Sequence, residues 1–327
     1  MTPAALVSVV IPVRNEGRTL RACLESLFAQ EHRPIELIMI NDGSTDDTAA
    51  ILASYGDRIQ VLTTPGIGPS RGRNLGIARA AGEYVAFTDG DCVCEPNWIR
   101  ELLRGFDGNP DVVGVGGSQR TPPDDSPYGK QVGAFLRAFG FASEYIRAGE
   151  TTSIVEVEHN PTCNVAYRRT VFERVGGFLE WLWPGEDVEL DLRVRRSGLR
   201  LMYNARAIVD HHRPDTPGKF RRMMLRYGEA QGILVRMYGP FRTIQFMPAA
   251  LLAGGVLAGM TALVPPLFFT LSALALGGGG LLLLRRTPDT RTAIACAAML
   301  GPAIWEWNHG YVKGLRQGAG QRSRATT

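Results

Sequence analysis

The sequence predicts an α/β protein in which a mostly parallel sheet flanked by helices precedes a C-terminal helical membrane region. Two patterns carry that expectation. Over roughly the first 215 residues, short apolar runs alternate with segments whose apolar residues recur at helical spacing. From about residue 244, long charge-free stretches replace the alternation. A third observation concerns chemistry. The apolar run at 83–88 ends abruptly in Asp89-Gly90-Asp91, two carboxylates separated by one glycine. A buried strand that delivers two acids to its C-terminal tip suits a divalent cation, since Mg²⁺ and Mn²⁺ prefer oxygen ligands. Open α/β sheets also bind ligands beyond the carboxyl ends of their strands.

The elements follow in order. Residues 7–12 are continuously apolar, as a strand buried on both faces requires. Leu20, Cys23, Leu24 and Leu27 then recur with helical period. Residues 35–40 form the next strand, which ends at Asn41-Asp42-Gly43-Ser44-Thr45-Asp46. Residues 45–55 read as a helix whose first-turn acids complement the helix dipole. Residues 59–62 are strand-like, 69–81 helical, 83–88 a strand and 96–106 a helix, with Pro96 suited to its first position. This order implies parallel strands joined by right-handed crossovers. Another strand is expected at 112–115. The glycines at Gly114, Gly116 and Gly117 lack the full dinucleotide spacing, and Thr121-Pro122-Pro123 follows where a helix should open, which excludes a Rossmann dehydrogenase. Residues of about 124–150 read as a less regular helical insertion, 154–157 and 163–167 as strands, and 186–196 as a helix. A strand pattern at 207–210 ends at His211.

From Thr216 the character changes. Thr216-Pro217 is a cap and first-turn pair. Phe220, Met223, Met224 and Tyr227 share one face while Arg221, Arg222 and Arg226 crowd the other, which suits an anionic bilayer surface or an ordinary surface helix. Residues 244–264 and 267–284 are nearly charge-free and approach membrane-spanning length. Arg285, Arg286 and Arg291 follow, so the positive-inside rule places that loop in the cytoplasm. A third apolar stretch, about 292–312, is interrupted by Glu306, Asn308 and His309, which leaves an interfacial segment or a third span. The expected division is 1–215 catalytic, 216–243 interface helix and linker, and 244–327 membrane-associated.

Composition narrows the classes. A net charge of +4, with the basic residues late in the chain, points to a membrane surface and away from nucleic acid. The five cysteines show no disulfide-framework or zinc spacing, and Cys92 and Cys94 read as reduced thiols. Residues 1–6 lack a basic flank and a long apolar core, so no signal peptide is expected.

Five motifs occur in order. Val9-Val10-Ile11-Pro12-Val13-Arg14-Asn15-Glu16 comes first, then Asn41-Asp42-Gly43-Ser44-Thr45-Asp46. Gly68-Pro69-Ser70-Arg71-Gly72-Arg73-Asn74-Leu75-Gly76, Asp89-Gly90-Asp91 and Gly185-Glu186-Asp187-Val188-Glu189-Leu190 complete the set. Over about residues 5–215 the chain resembles family 2 glycosyltransferases, inverting enzymes of the GT-A fold that use nucleotide-diphosphate sugars. The resemblance implies nucleotide-sugar contacts from Pro12, Arg14, Glu16, Asp42, Gly68, Arg73, Asn74 and Asp89. It implies a divalent cation, Mg²⁺ or Mn²⁺, on Asp91 and Asp89, with His211 as a metal or diphosphate ligand or a structural histidine. Asp187 resembles the family's catalytic base. Asn164, Glu186 and Arg226 fall where the acceptor or diphosphate is held. The glutamine and tryptophan of the processive synthases' Gln-x-x-Arg-Trp motif are missing around Arg226-Tyr227, which points to transfer of one sugar at a time. Trp181 and Trp183 either stack on a sugar or pack.

With the membrane region, the chain looks most like bacterial exopolysaccharide transferases of the succinoglycan type. That resemblance implies a UDP- or GDP-linked donor, a polyprenyl-diphosphate-linked saccharide acceptor, and a catalytic domain on the cytoplasmic face of the inner membrane. Direct transfer to polyprenyl phosphate is the alternative within the class, and a non-catalytic nucleotide-sugar-binding membrane scaffold the alternative outside it.

Overall fold

The computed structural model describes residues 5–139, 153–262 and 265–317. Part of the expected insertion, 140–152, and the tail from 318 lie outside the described residues. The chain forms two compact units, Met1–Asp125 with Ala142–His212, and Ser126–Phe141 with Arg213–Thr327.

The first unit is built on β1 (Val7–Val13), α1 (Leu20–Phe28), β2 (Ile35–Asp42), α2 (Thr48–Ala53), β3 (Gln60–Thr64), α3 (Pro69–Arg79) and β4 (Tyr84–Thr88). After a short β5 (Cys92–Cys94) come α4 (Trp98–Arg104) and β6 (Val112–Arg120). The second unit contributes α5 (Pro127–Phe139). The chain then completes the first unit with β7 (Val155–Glu156), β8 (Asn164–Arg168), α6 (Thr170–Val175), α7 (Glu186–Arg196) and β9 (Arg200–His211).

The sheet runs β3-β2-β1-β4-β8-β6-β9-β5, with β7 pairing β9. β1 pairs in parallel with β2 and β4, and β2 with β3, as the alternating pattern requires. The other half departs from the mostly parallel expectation. β8 runs antiparallel to both β4 and β6, and β5 and β7 run antiparallel to β9, so the sheet is mixed. A doubly buried strand is an apolar run in either direction, so direction is invisible in such a pattern. β9 extends over 12 residues where four were expected, because Asn204 and Arg206 break its apolar residues into two short groups.

Alternation on the strands divides the core into two layers. Val7, Val9, Ile11 and Val13 pack with Leu20, Leu24 and Trp98 on one face. Val10, Ile38, Phe87 and Tyr167 pack with Phe172, Phe178 and Leu190 on the other. Phe87 meets Phe178 edge-on at 5.5 Å, in a geometry favoured by the ring quadrupole. These layers leave the strand tips as the free edge where the polar motifs gather.

The second unit contains α5, α8 (Pro217–Tyr238), α9 (Met247–Ala262), α10 (Pro265–Arg286) and α11 (Thr290–Gln317). Phe220 of α8 packs edge-on against Phe135 of α5 at 5.3 Å, so the apolar face of the basic helix has a protein partner. α8 and α11 approach until backbone meets backbone. A Cβ on Gly228 would lie 1.8 Å from the Trp307 carbonyl oxygen, and one on Gly310 would lie 2.0 Å from that of Leu225. Gly232 and Gly314 repeat the contact one turn on. Two ion pairs join the helices here: Glu306, one of the residues that interrupt the third apolar stretch, accepts through Oε1 from Arg221 Nε at 2.7 Å, and Lys313 donates to Glu229 at 2.9 Å. Among the described residues one stretch, Thr243–Met260, is long and apolar enough to cross a membrane.

Candidate active site

The floor of the site is two loops stitched together beyond β1 and β2. Asn15, at φ 59, occupies the left-handed region that asparagine tolerates better than most residues. Its Oδ1 accepts from the Thr45 amide at 2.8 Å, and its own amide donates to Ser44 Oγ at 3.1 Å. The Glu16 amide donates to Thr48 Oγ1 at 2.9 Å, and the Gly17 amide to Asp46 at 3.0 Å. Pro12 is half-buried at the rim and Arg14 is exposed beside Gly66. Asp42 is buried and accepts from Thr64 Oγ1 (2.6 Å), the Ile67 amide (2.6 Å) and the Gly68 amide (2.8 Å). Burial pushes its carboxyl upward, but those bonds and the Arg14 charge outweigh it and hold the pKa below the ordinary 3.8. Asp42 therefore shapes the entry to α3 and already engages the amides of Ile67 and Gly68.

Gly90 lets the acidic turn settle on this floor, since a Cβ there would lie 2.8 Å from Val13 Cγ1 and 3.2 Å from Glu16 Cγ. The turn sets Asp89 and Asp91, both half-buried, beside Glu16. Burial, then the Asp91 and Asp89 charges, push Glu16 up to about 7. Asp91 Oδ2 lies 3.6 Å from His211 Nε2, and His211 Nδ1 is 3.3 Å from Gln119 Oε1. Burial opposes the charge on both partners, yet their mutual attraction prevails. His211 is pushed up to about 10, and Asp91 is held below the usual carboxylate range.

Donor atoms of Asp91, Cys92 and His211 lie within 4.8 Å of one another. A carboxylate and an imidazole converging beside two further acids fit a divalent cation, since the cluster carries more negative than positive charge. Cys92 was not expected here. β5 pairs Cys92 with His211 across an antiparallel register, a three-residue strand too short to announce itself by alternation.

Arg73 links this turn to α7. It is buried rather than a surface charge, and its Nη1 donates to Glu186 Oε1 at 2.7 Å while Nη2 lies 3.4 Å from Asp89 Oδ1. Burial favours the neutral guanidine, but Glu186, Asp89 and Asp187 raise the pKa and keep it charged. Its Nε is buried without a hydrogen-bond partner among the described residues. Burial and the neighbouring Asp187 push Glu186 up to about 7 against the pull of Arg73.

Asp187 stands in the first turn of α7, where its Oδ1 accepts from the Val188 amide at 2.8 Å. Its side chain keeps 20% of its surface exposed while Glu186 keeps 6%, so Asp187 is the acid open to a substrate.

Other expected residues have structural occupations. Both ends of the Asn74 amide bond the Phe178 backbone, at 2.8 Å each, which pins the segment before α7 over α3. Asn164 is fully buried, donating to the Ser118 and Ala207 carbonyls at 2.8 and 2.9 Å and accepting from Trp98 Nε1 at 2.7 Å. It ties β6, β8, β9 and α4 together where an acceptor contact was expected. Trp181 and Trp183 are 41% and 50% exposed, which removes simple core packing as their role. Arg226 belongs to α8 in the second unit.

Residues 8–176 match the family model described as glycosyl transferase family 2. The chain is 29% identical to the glucosyl-dolichyl phosphate glucuronosyltransferase of Haloferax volcanii over 63% of its own length and 68% of that protein's. It is 30% identical to the pre-mycofactocin glycosyltransferase of Mycobacterium tuberculosis over 70% of this chain, and spans 48% of that protein. Among solved structures, the mannosyltransferase PcManGT of Pyrobaculum calidifontis, in complex with GDP-Man and Mn²⁺, superposes with a TM-score of 0.59 at 17% identity. That alignment covers 98% of this chain and 89% of the other, a likeness of fold. The ordered motifs, the GT-A-like sheet and the family match agree, and the chain belongs to glycosyl transferase family 2 as a glycosyltransferase.

Proposed function

We propose that the protein moves a sugar, with inversion, from a nucleotide-diphosphate sugar to a polyprenyl-diphosphate-linked saccharide at the cytoplasmic face of the inner membrane. The observation that carries the catalytic reading is Asp187, the exposed acid of α7, joined to the acidic turn through Glu186 and Arg73. A sugar lying between the two would meet a base on one side and its diphosphate on the other. Asp187 takes the proton of the acceptor hydroxyl as that oxygen bonds to the anomeric carbon, and the carbon–diphosphate bond breaks to release the nucleoside diphosphate. Asp91, Asp89 and His211 would hold the divalent cation, which when bound neutralises charge growing on the leaving group. Arg73 keeps Glu186 and Asp89 in place for it.

The lipid acceptor rests on two supports. One relative is named for a dolichyl phosphate substrate. In addition, α9 exposes Leu252, Val256, Leu257 and Met260 to the extent of 57–72%, an apolar face that suits lipid. With the late basic residues, this favours a membrane-bound enzyme of the succinoglycan type. Transfer directly to polyprenyl phosphate is the nearest alternative, and it would yield a monophosphate-linked sugar rather than a lengthened glycan.

The test is turnover of UDP- and GDP-sugars with a lipid-linked acceptor in membranes. Asp187→Asn should lower kcat by about 10²- to 10⁴-fold, the span of a lost general base. Chelator should abolish activity and Mn²⁺ or Mg²⁺ restore it. Full activity in the variant would refute the base, and full activity in chelator the cation.

A further inference from the structure

Asp187 and Asp191 lie one turn apart on α7, which puts both carboxylates on one face of the helix. The imidazole of His159 lies between them. Its Nδ1 is 2.9 Å from Asp191 Oδ2, and its Nε2 is 3.8 Å from Asp187 Oδ2. The exposed fraction of the side chain falls from 20% at Asp187 to 5% at His159 and 0% at Asp191, so the three run from the cleft into the interior.

The hydrogen bonds fix the proton positions. Asp191 Oδ1 accepts from the Tyr167 hydroxyl at 2.6 Å, and Oδ2 also accepts from the Asn160 amide at 2.7 Å. A carboxylate holding those donors is an acceptor towards His159 as well, so the imidazole carries its proton on Nδ1. In the neutral ring Nε2 is then a lone pair aimed at Asp187. The outer carboxylate is equally constrained, because its Oδ1 is engaged by the Val188 amide and Oδ2 is the oxygen turned to the ring.

We infer that His159 is a positioning residue for the transfer reaction, holding Asp187 in register and receiving through it the proton taken from the acceptor. This rests on Asp187 being the base. The acceptor O–H bond breaks and its proton passes to Asp187, while the new glycosidic bond forms and the diphosphate leaves with the bonding pair. The proton then moves from Asp187 to His159 Nε2, which restores the carboxylate, and the ionised Asp191 behind it balances the imidazolium. The logic is that of a buried acid fixing a histidine's tautomer behind a reacting group.

His159→Asn can keep the donor to Asp191 while removing Nε2. Measured beside Asp187→Asn, it should lower kcat by about 10- to 100-fold, as losses of such supporting partners do, with the donor KM and the melting midpoint unchanged. Added imidazole should return part of that rate. If Asp187→Asn is dead while His159→Asn keeps the wild-type kcat, or loses it only in proportion to folded protein, the relay is overturned and the base survives. If Asp187→Asn is fully active, both fall. Should His159→Asn not fold, ¹⁵N spectra of histidine-labelled wild-type protein decide: a proton on Nδ1 of His159 supports the relay, and a bare Nδ1 overturns it.

Discussion

At the scale of single residues, the site depends on carboxylates whose surroundings differ. Asp42 is ionised and locked to two amides and a hydroxyl, whereas Glu16 is pushed towards neutrality by burial and the acids opposite. The folded pKa of Asp42 lies below its ordinary value, so its contribution is fully present above pH 3.8 and is lost as pH falls through the folded value. Asp42→Asn should therefore cost about 2 kcal/mol at neutral pH, the worth of charge-assisted hydrogen bonds. Melting midpoints of variant and wild type should converge in acid. Individual residues were unevenly legible in the sequence. The pair Asp89 and Asp91 announced itself because two acids at a strand tip are conspicuous, and Asp187 because it lies in the last of the five ordered motifs that carry the family resemblance. His159 and Asp191 carried no signal, since a lone histidine and a helical aspartate 32 positions apart become partners only through the fold. Asn74 was expected to meet the donor and Asn164 the acceptor, yet their amides serve neighbouring backbone.

At the scale of elements, α8 and α11 show how small residues set a helix crossing. Gly228 and Gly232 face Gly310 and Gly314, and the spacing of four places each pair on one stripe. Gly228→Ala cannot be accommodated unless the helices separate, and should destabilise the protein by roughly 1–3 kcal/mol, the usual cost of overpacking. Thermal unfolding in detergent measures it. In the sequence that stripe is hidden inside a basic amphipathic pattern, whose Phe220 face suited either a bilayer surface or an ordinary surface helix. It is met instead by α5 and α11, because a sequence displays an apolar face without naming what covers it. The first four parallel strands were legible for the opposite reason: their apolar runs are separated by helices short enough to admit one topology.

For the whole molecule, the proposed membrane attachment rests on α9. Were α9 in hydrocarbon, Val256→Arg would cost about 2.5–3.5 kcal/mol and should move protein from the carbonate-resistant fraction to the soluble one. Retention of the variant in the membrane would show that α9 lies elsewhere. The chain also visits its second unit twice, once as α5 and again from Arg213 onward. A gene shortened after His212 would not yield a free-standing enzyme. It would bare Val132, Phe135 and Leu136, now almost wholly enclosed, with Phe220 gone from beside Phe135. Such a fragment should scatter light and precipitate, which makes the helical half an obligate companion of the catalytic one rather than a detachable anchor.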